Sequence, residues 1–387
     1  MQRAELDYML TQMIESYKGV SDVFFVVDRP PQVEAFGELR PVKLNPFIAK
    51  LYPFHTECIA LNLLQNSARL MHSLFQYGSC DLSYAVPRKA RFRVNIFSQR
   101  GQYSIVMRKL ENRVPTIEEL ELPEVFQTIA EERTGIVLFT GATGTGKSTS
   151  LAALIDHINE RKPIHIITLE DPIEYDHRHK KATIDQRELG LDFDTYASGL
   201  RAALRQAPKV ILVGEIRDKE TALSALRAAE TGHLVLSTVH TIDAGQTVNR
   251  IIGMFQPEEE REIRMRLSDS MRWVVSQRLL PKIGAGRHAV FEIMQNNLRV
   301  QELVMNGETT DRTFYQIITD GEGLGMQTFE TDLLRAFRQK LITEQTALSY
   351  SVHRAVMRQK IDQVKSSRGE KTTDIEDLSL DREYGKY

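Results

Sequence analysis

Gly141-Ala-Thr-Gly-Thr-Gly146-Lys147-Ser148 is the stretch on which the reading of this chain turns. It follows the apolar run Gly135 to Thr140 and precedes a helical pattern from Leu151 to Ile158. Two spaced glycines and a Lys-Ser pair, set between a strand and a helix, form a phosphate-binding loop. Gly141, Gly144 and Gly146 let backbone N–H groups turn toward phosphate oxygens, and the helix N-terminus adds positive potential. Lys147 supplies a cation for the β- and γ-phosphates, and the Ser148 hydroxyl is a ligand for Mg²⁺. The residues expected to hold ATP are therefore Gly141, Ala142, Thr143, Gly144, Thr145, Gly146, Lys147, Ser148 and Thr149.

Downstream, Glu170-Asp-Pro-Ile-Glu174-Tyr175 closes a predicted strand, where parallel α/β sheets place catalytic groups. Acidic clusters are also common on solvated loops, and only the phosphate loop upstream tilts this one toward water activation. Lys209-Val-Ile-Leu-Val-Gly-Glu215-Ile-Arg217-Asp218 is an apolar strand ending in an acidic residue, the shape of the second nucleotide motif that organises Mg²⁺. Most such motifs end in Asp, whereas this one ends in Gly214-Glu215, and a buried strand with a polar end has the same appearance. His233 and His240 flank the next apolar run, where lone histidines are usually structural; beside three nucleotide motifs, His240 is also placed as a γ-phosphate sensor.

Around these motifs, apolar runs at Gly135 to Thr140, Ile164 to Leu169, Val210 to Val213 and Leu234 to Thr238 alternate with helical segments. That alternation predicts a mostly parallel sheet flanked by helices. Toward the N-terminus the pattern differs. Leu6, Met9, Leu10, Met13, Ile14 and Tyr17 recur at helical spacing before Gly19, and Asp22 to Val27 and Val33 to Val42 read as extended pieces broken at Pro30-Pro31 and Gly37. Arg91, Arg93 and Asn95 alternate with Phe92, Val94 and Ile96, and a second strand follows Gly101, which gives an antiparallel pair with one arginine-bearing face. The fold class expected is thus α/β with a smaller α+β N-terminal domain over 1–114, the larger domain over 115–365, and a charged, mobile tail over 366–387.

Composition narrows the classes of function. With 387 residues, 42% hydrophobic and 26% charged, the chain is long enough for two cores. Lys and Arg number 50 against 52 Asp and Glu, so no basic excess calls for a nucleic-acid partner. Cys58 and Cys80 can form neither a disulfide framework nor a four-cysteine zinc site. Glu5 and Asp7 stand where a signal peptide would be apolar, and no run is long enough to span a bilayer, so the chain is expected in the cytoplasm.

In this order and spacing the motifs resemble the type II/IV secretion ATPase superfamily, most closely its PilT-like pilus retraction ATPases. The segments that carry the likeness are Ala90 to Asn95, Gly141 to Thr149, Glu170 to Tyr175, Val213 to Asp218, Ala229 to Leu234 and His240 to Ala244. The resemblance implies a RecA-like phosphate-loop domain beside a PAS-like N-terminal domain, assembled as a homohexamer that hydrolyses ATP with Mg²⁺. It makes Glu174 the residue that polarises the attacking water, Glu215 a carboxylate near Mg²⁺, and His233 and His240 the family's His-box residues. Arg93, Arg108 and Arg113 match the region from which arginines reach the phosphates. The implied partners are an inner-membrane pilus platform protein, against which the ring sits peripherally, and a paralogous retraction ATPase. Extension members typically carry a cysteine-ligated zinc site and a longer N-terminal region, so retraction is favoured. Asn297-Leu-Arg-Val-Gln-Glu-Leu303 stands where retraction motors usually carry an Ala-Ile-Arg-Asn-type motif, and Phe24 stands where a histidine is usual. Those departures leave an accessory, PilU-like subunit as an alternative, together with a related type IV secretion or conjugation ATPase.

Overall fold

A computed structural model describes residues 2–110 and 113–370. From residue 371 on, the expected charged tail lies outside the described residues. Thirteen strands run through the described residues: β1 (Val20–Phe25), β2 (Gln32–Ala35), β3 (Glu38–Pro41), β4 (Ser79–Val86), β5 (Ala90–Gln99), β6 (Gln102–Lys109), β7 (Gly135–Thr140), β8 (His165–Glu170), β9 (Thr183–Glu188), β10 (Val210–Val213), β11 (Leu234–Val239), β12 (Met271–Pro281) and β13 (Arg287–Gln295). They divide between two compact units, one made of the described residues up to Thr116 with Ala152–Gly214, the other of Ile117–Leu151 with the described residues from Glu215 on.

In the first unit, β3-β2-β1-β6-β5-β4 form an antiparallel sheet. Alternation fixes its faces: Phe92, Val94 and Ile96 of β5 and Ile105 and Met107 of β6 are buried, in one core with Leu6, Leu10 and Met13 of the helix Arg3–Glu15. Each such side chain contributes about 1.5–3 kcal/mol by leaving water. The first helix thus lies two to three residues earlier than its apolar spacing suggests, because Ser16 to Gly19 turn the chain into β1. The same unit holds the parallel strands β10-β8-β9, with Val210 opposite Ile166 and Ile166 opposite Ile184.

In the second unit the order is β13-β12-β7-β11. Strands β7 and β11 are parallel and buried at every position, as the apolar runs require. Strand β12 is parallel to β7, and β13 returns antiparallel to it. This hairpin is absent from the reading of the sequence, and the reason is local: the helix Glu260–Ser270 passes straight into β12 at Met271, with no glycine or proline to punctuate the change. Among the described residues no helix is long and apolar enough to cross a membrane.

Candidate functional site

Strand β7 delivers the chain to Gly141, and the helix Lys147–Arg161 leaves from the end of the loop. Gly141 (φ 145°) and Gly146 (φ 88°) are dictated twice, by conformation and by space. A Cβ on Gly141 would stand 2.5 Å from the Gln277 carbonyl oxygen, and one on Gly146 would stand 2.9 Å from Gln277 Nε2. The buried Lys147 ammonium donates to the carbonyls of Gly141 (2.8 Å) and Ala142 (2.9 Å), and Thr145 Oγ1 donates to Ala142 O at 2.9 Å. The lysine therefore points its charge back into the loop, where an anion would compete for it. Ser148 is exposed in the first turn of the helix.

Glu215 enters the same unit directly after β10, with its side chain 10% exposed. Its Oε2 is ion-paired with Arg217 and lies 3.4 Å from His240 Nε2, yet makes no well-aligned hydrogen bond. A buried carboxylate oxygen in that condition is poised to accept from a bound water or a metal's hydration shell. His240 follows the last residue of β11, and Thr140 Oγ1 donates to Thr241 O at 3.2 Å, which ties the β7 end of the phosphate loop to the His240 segment. Three residues on, the Ala244 N–H donates to buried Glu292 at 2.8 Å. Burial pushes the Glu292 carboxyl up to about 7, with Asp243 and Glu330 adding to the rise while the Ala244 N–H and Arg278 oppose it.

His233 does not join this group. It precedes β11 at the strand's other end, where its Nδ1 lies 2.9 Å from Ala228 O and 3.2 Å from Thr231 Oγ1. These contacts cap the C-terminus of the helix Lys219–Glu230, which is a structural task.

In the first unit the acidic cluster separates into three environments. Glu170 accepts from Thr168 Oγ1 (2.6 Å) and Gln186 Nε2 (3.0 Å), and burial raises its pKa against those hydrogen bonds. Asp171 lines a small cavity with Arg69, Asp81, Arg93, Leu189 and Gly190. Glu174 is exposed, but the backbone around it is held: Ile173 N–H donates to Glu188 (3.2 Å), and Gln186 Nε2 donates to Tyr175 O (2.8 Å). Gln186 and Glu188 on β9 thus pin the segment on either side of Glu174, and Arg91 in turn pairs with Glu188 at 3.3 Å. No local motif marks Gln186 or Glu188, because their role appears only when β9 pairs with β8.

Of the arginines, Arg93 and Arg108 are direct cross-strand neighbours on β5 and β6, and Arg108 is paired with Asp22 of β1 at 3.0 Å. Two like charges side by side on one exposed face cost stability unless an anion lies between them. Arg113 is exposed in the segment after β6.

Residues 76–331 match the family described as type II/IV secretion system protein. The chain is 38% identical to the type IV pilus ATPase PilU of Pseudomonas aeruginosa over 348 residues, 90% of this chain and 88% of the relative. It is 39% identical to the type IV pilus retraction ATPase PilT of the same organism over 330 residues, 85% of this chain and 94% of the relative. A crystal structure of the pilus retraction motor PilT with bound ADP is similar with a TM-score of 0.79 and 37% identity, covering 90% of this chain and 97% of that one.

Proposed function

The chain belongs to the type II/IV secretion system protein family, and from that premise we propose that it is an ATPase motor that powers type IV pilus retraction, and so twitching motility. The observation that carries the reading is the buried Oε2 of Glu215, which lacks an aligned hydrogen bond while lying against Arg217 and close to His240. Beyond its ion pair with Arg217, that oxygen keeps acceptor capacity for a bound water or a hydrated cation.

In this reading the N–H groups of Gly141 to Ser148 and the Lys147 ammonium bind the ATP phosphates. Ser148 Oγ and Glu215 would hold Mg²⁺, which would supply charge neutralisation to the phosphates. Glu174, exposed on a pinned backbone, accepts a proton from the attacking water, and His240 reports the γ-phosphate to Glu215. Arg93, Arg108 or Arg113 brings a guanidinium to the transition-state charge, which couples hydrolysis to domain motion. The proposed assembly is a homohexamer in the cytoplasm, peripheral to the inner membrane, acting on a platform protein at the pilus base and working beside a paralogous ATPase.

An accessory, PilU-like role is the second reading. It is favoured by the departure at Asn297 to Leu303 and by the extent of the match to PilU.

The test is ATP turnover of the purified chain beside Lys147→Ala and Glu174→Gln, with oligomer mass read in the same samples. Turnover by a hexamer, lost in both variants, is expected; a wild-type chain that binds ATP and hydrolyses none overturns the motor reading in favour of the accessory one.

A further inference from the structure

Strand β12 carries one residue that lies against both ends of the phosphate loop and bonds the helix that follows it. Gln277 is only 2% exposed. Its backbone oxygen closes on Gly141, where the loop begins, and its side-chain Nε2 closes on Gly146, where the loop ends. Its Oε1 accepts from Ser150 Oγ at 2.9 Å, in the first turn of the helix that follows. A buried primary amide costs stability unless its polar atoms are engaged. Here Oε1 is engaged by Ser150, just after the phosphate loop. The Ser150 hydroxyl fixes the carbonyl end of the amide, so its N–H₂ end faces Gly146.

We infer that Gln277 is a positioning residue for nucleotide binding: it braces the entry, the exit and the following helix of the phosphate loop so that the loop's N–H groups stay convergent before ligand arrives. This rests on the reading that the loop takes nucleotide. Close approaches at both ends of the loop and a hydrogen bond to the helix after it, all from one buried strand position, hold a glycine-rich segment whose own residues have the widest conformational freedom. That holding lowers the ordering cost of binding. The amide is also the neutral form of its shape. A carboxylate there would fill the same space, lose the N–H donor beside Gly146, and set a negative charge against the phosphates.

Gln277→Met and Gln277→Glu separate packing from charge and hydrogen bonding. The affinity for ADP with Mg²⁺ is read by calorimetry, KM and kcat for ATP are read in turnover, and thermal unfolding is followed without nucleotide. Gln277→Met, which loses the hydrogen bond from Ser150, is expected to weaken ADP about tenfold, and the near-isosteric Gln277→Glu about a hundredfold, because it sets a negative charge against the phosphates. Both should raise KM while leaving kcat within about threefold, since a ground-state brace is shared with the transition state. Ser150→Ala, which leaves the glutamine in place, should cost about threefold, and it carries the test if Gln277→Glu does not fold. Wild-type ADP affinity in Gln277→Met and Ser150→Ala, or equal losses in Gln277→Met and Gln277→Glu, would overturn the inference. Lys147→Ala in the same titration keeps the two claims apart. If it binds ADP like the wild type, the phosphate-loop reading itself falls; if it alone loses ADP, only the role of Gln277 does.

Discussion

His240 and His233 close the two ends of β11, about 20 Å apart at the usual rise of a strand, and they keep different company. At the His240 end lie a buried carboxylate without an aligned hydrogen bond, an arginine paired to it, and the tie from Thr140 to Thr241 that reaches the phosphate loop. At the His233 end the histidine spends its ring nitrogen on Ala228 and Thr231, within its own turn. The residue type is the same, and the difference is which end of a parallel strand carries it. Carboxyl ends of parallel strands face the helix N-termini and the loops that can vary, whereas the amino ends face helix C-termini that need caps.

The sharpest way to break this contrast is Glu215→Gln. The substitution keeps the shape and removes the charge that Arg217 and His240 face. If the His240 end is where the chemistry happens, kcat should fall by roughly two to three orders of magnitude while ADP still binds. The thermal midpoint of the apo protein should change little, because Arg217, the charge left behind, is 69% exposed. Turnover within threefold of wild type would mean that the two ends of β11 are equally structural.

Glu292 sharpens the contrast with a smaller effect, because it anchors Ala244 just beyond His240 at the expense of a buried carboxyl. Its pKa in the fold is pushed up to about 7, whereas an unfolded glutamate ionises near ~4.3. The folded chain therefore binds the extra proton between those values, and stability falls as pH rises through that window. Its contribution is fully present below about pH 4 and lost above about pH 7. Glu292→Gln keeps an acceptor for Ala244 and removes the titration. Unfolding free energies from denaturant titration should coincide with wild type near pH 4.5 and exceed it by roughly 2–3 kcal/mol at pH 8. Parallel curves from pH 5 to 8 would show that the carboxylate is satisfied when charged.

How much of this was legible beforehand follows the range of the contacts. The strand–loop–helix frame of Gly135 to Arg161 is local, so its glycines, lysine and apolar run are readable within a few residues. Strand β5 is readable for the same reason, since one face alternates with the other from Ala90 to Ile96. The β12–β13 hairpin was not, because a strand buried on both faces has no period and follows a helix without a break. Gln186, Glu188 and Gln277 were invisible too. Each is a polar residue in a strand whose partners lie up to 127 residues away, and nothing beside it in sequence marks the pairing. His233 and His240 carried equal weight in sequence because spacing alone does not tell the two ends of a strand apart.

The smallest effect gives the most specific test of that last point. His233→Ala removes a cap contact to Ala228 and one to Thr231 at the end of the helix Lys219–Glu230. The loss should be about 0.5–1 kcal/mol of stability, the range of one partly exposed hydrogen bond, with kcat and KM for ATP within twofold of wild type. Calorimetric unfolding and steady-state turnover on the same preparation decide it. A tenfold fall in kcat with an unchanged midpoint would break the contrast in an informative way: a residue a strand-length from its own phosphate loop could then reach chemistry only across a subunit boundary. In the proposed ring that fall should vanish when the variant is diluted to monomers and return on reassembly, which assigns the amino end of β11 to a neighbour's site rather than to its own.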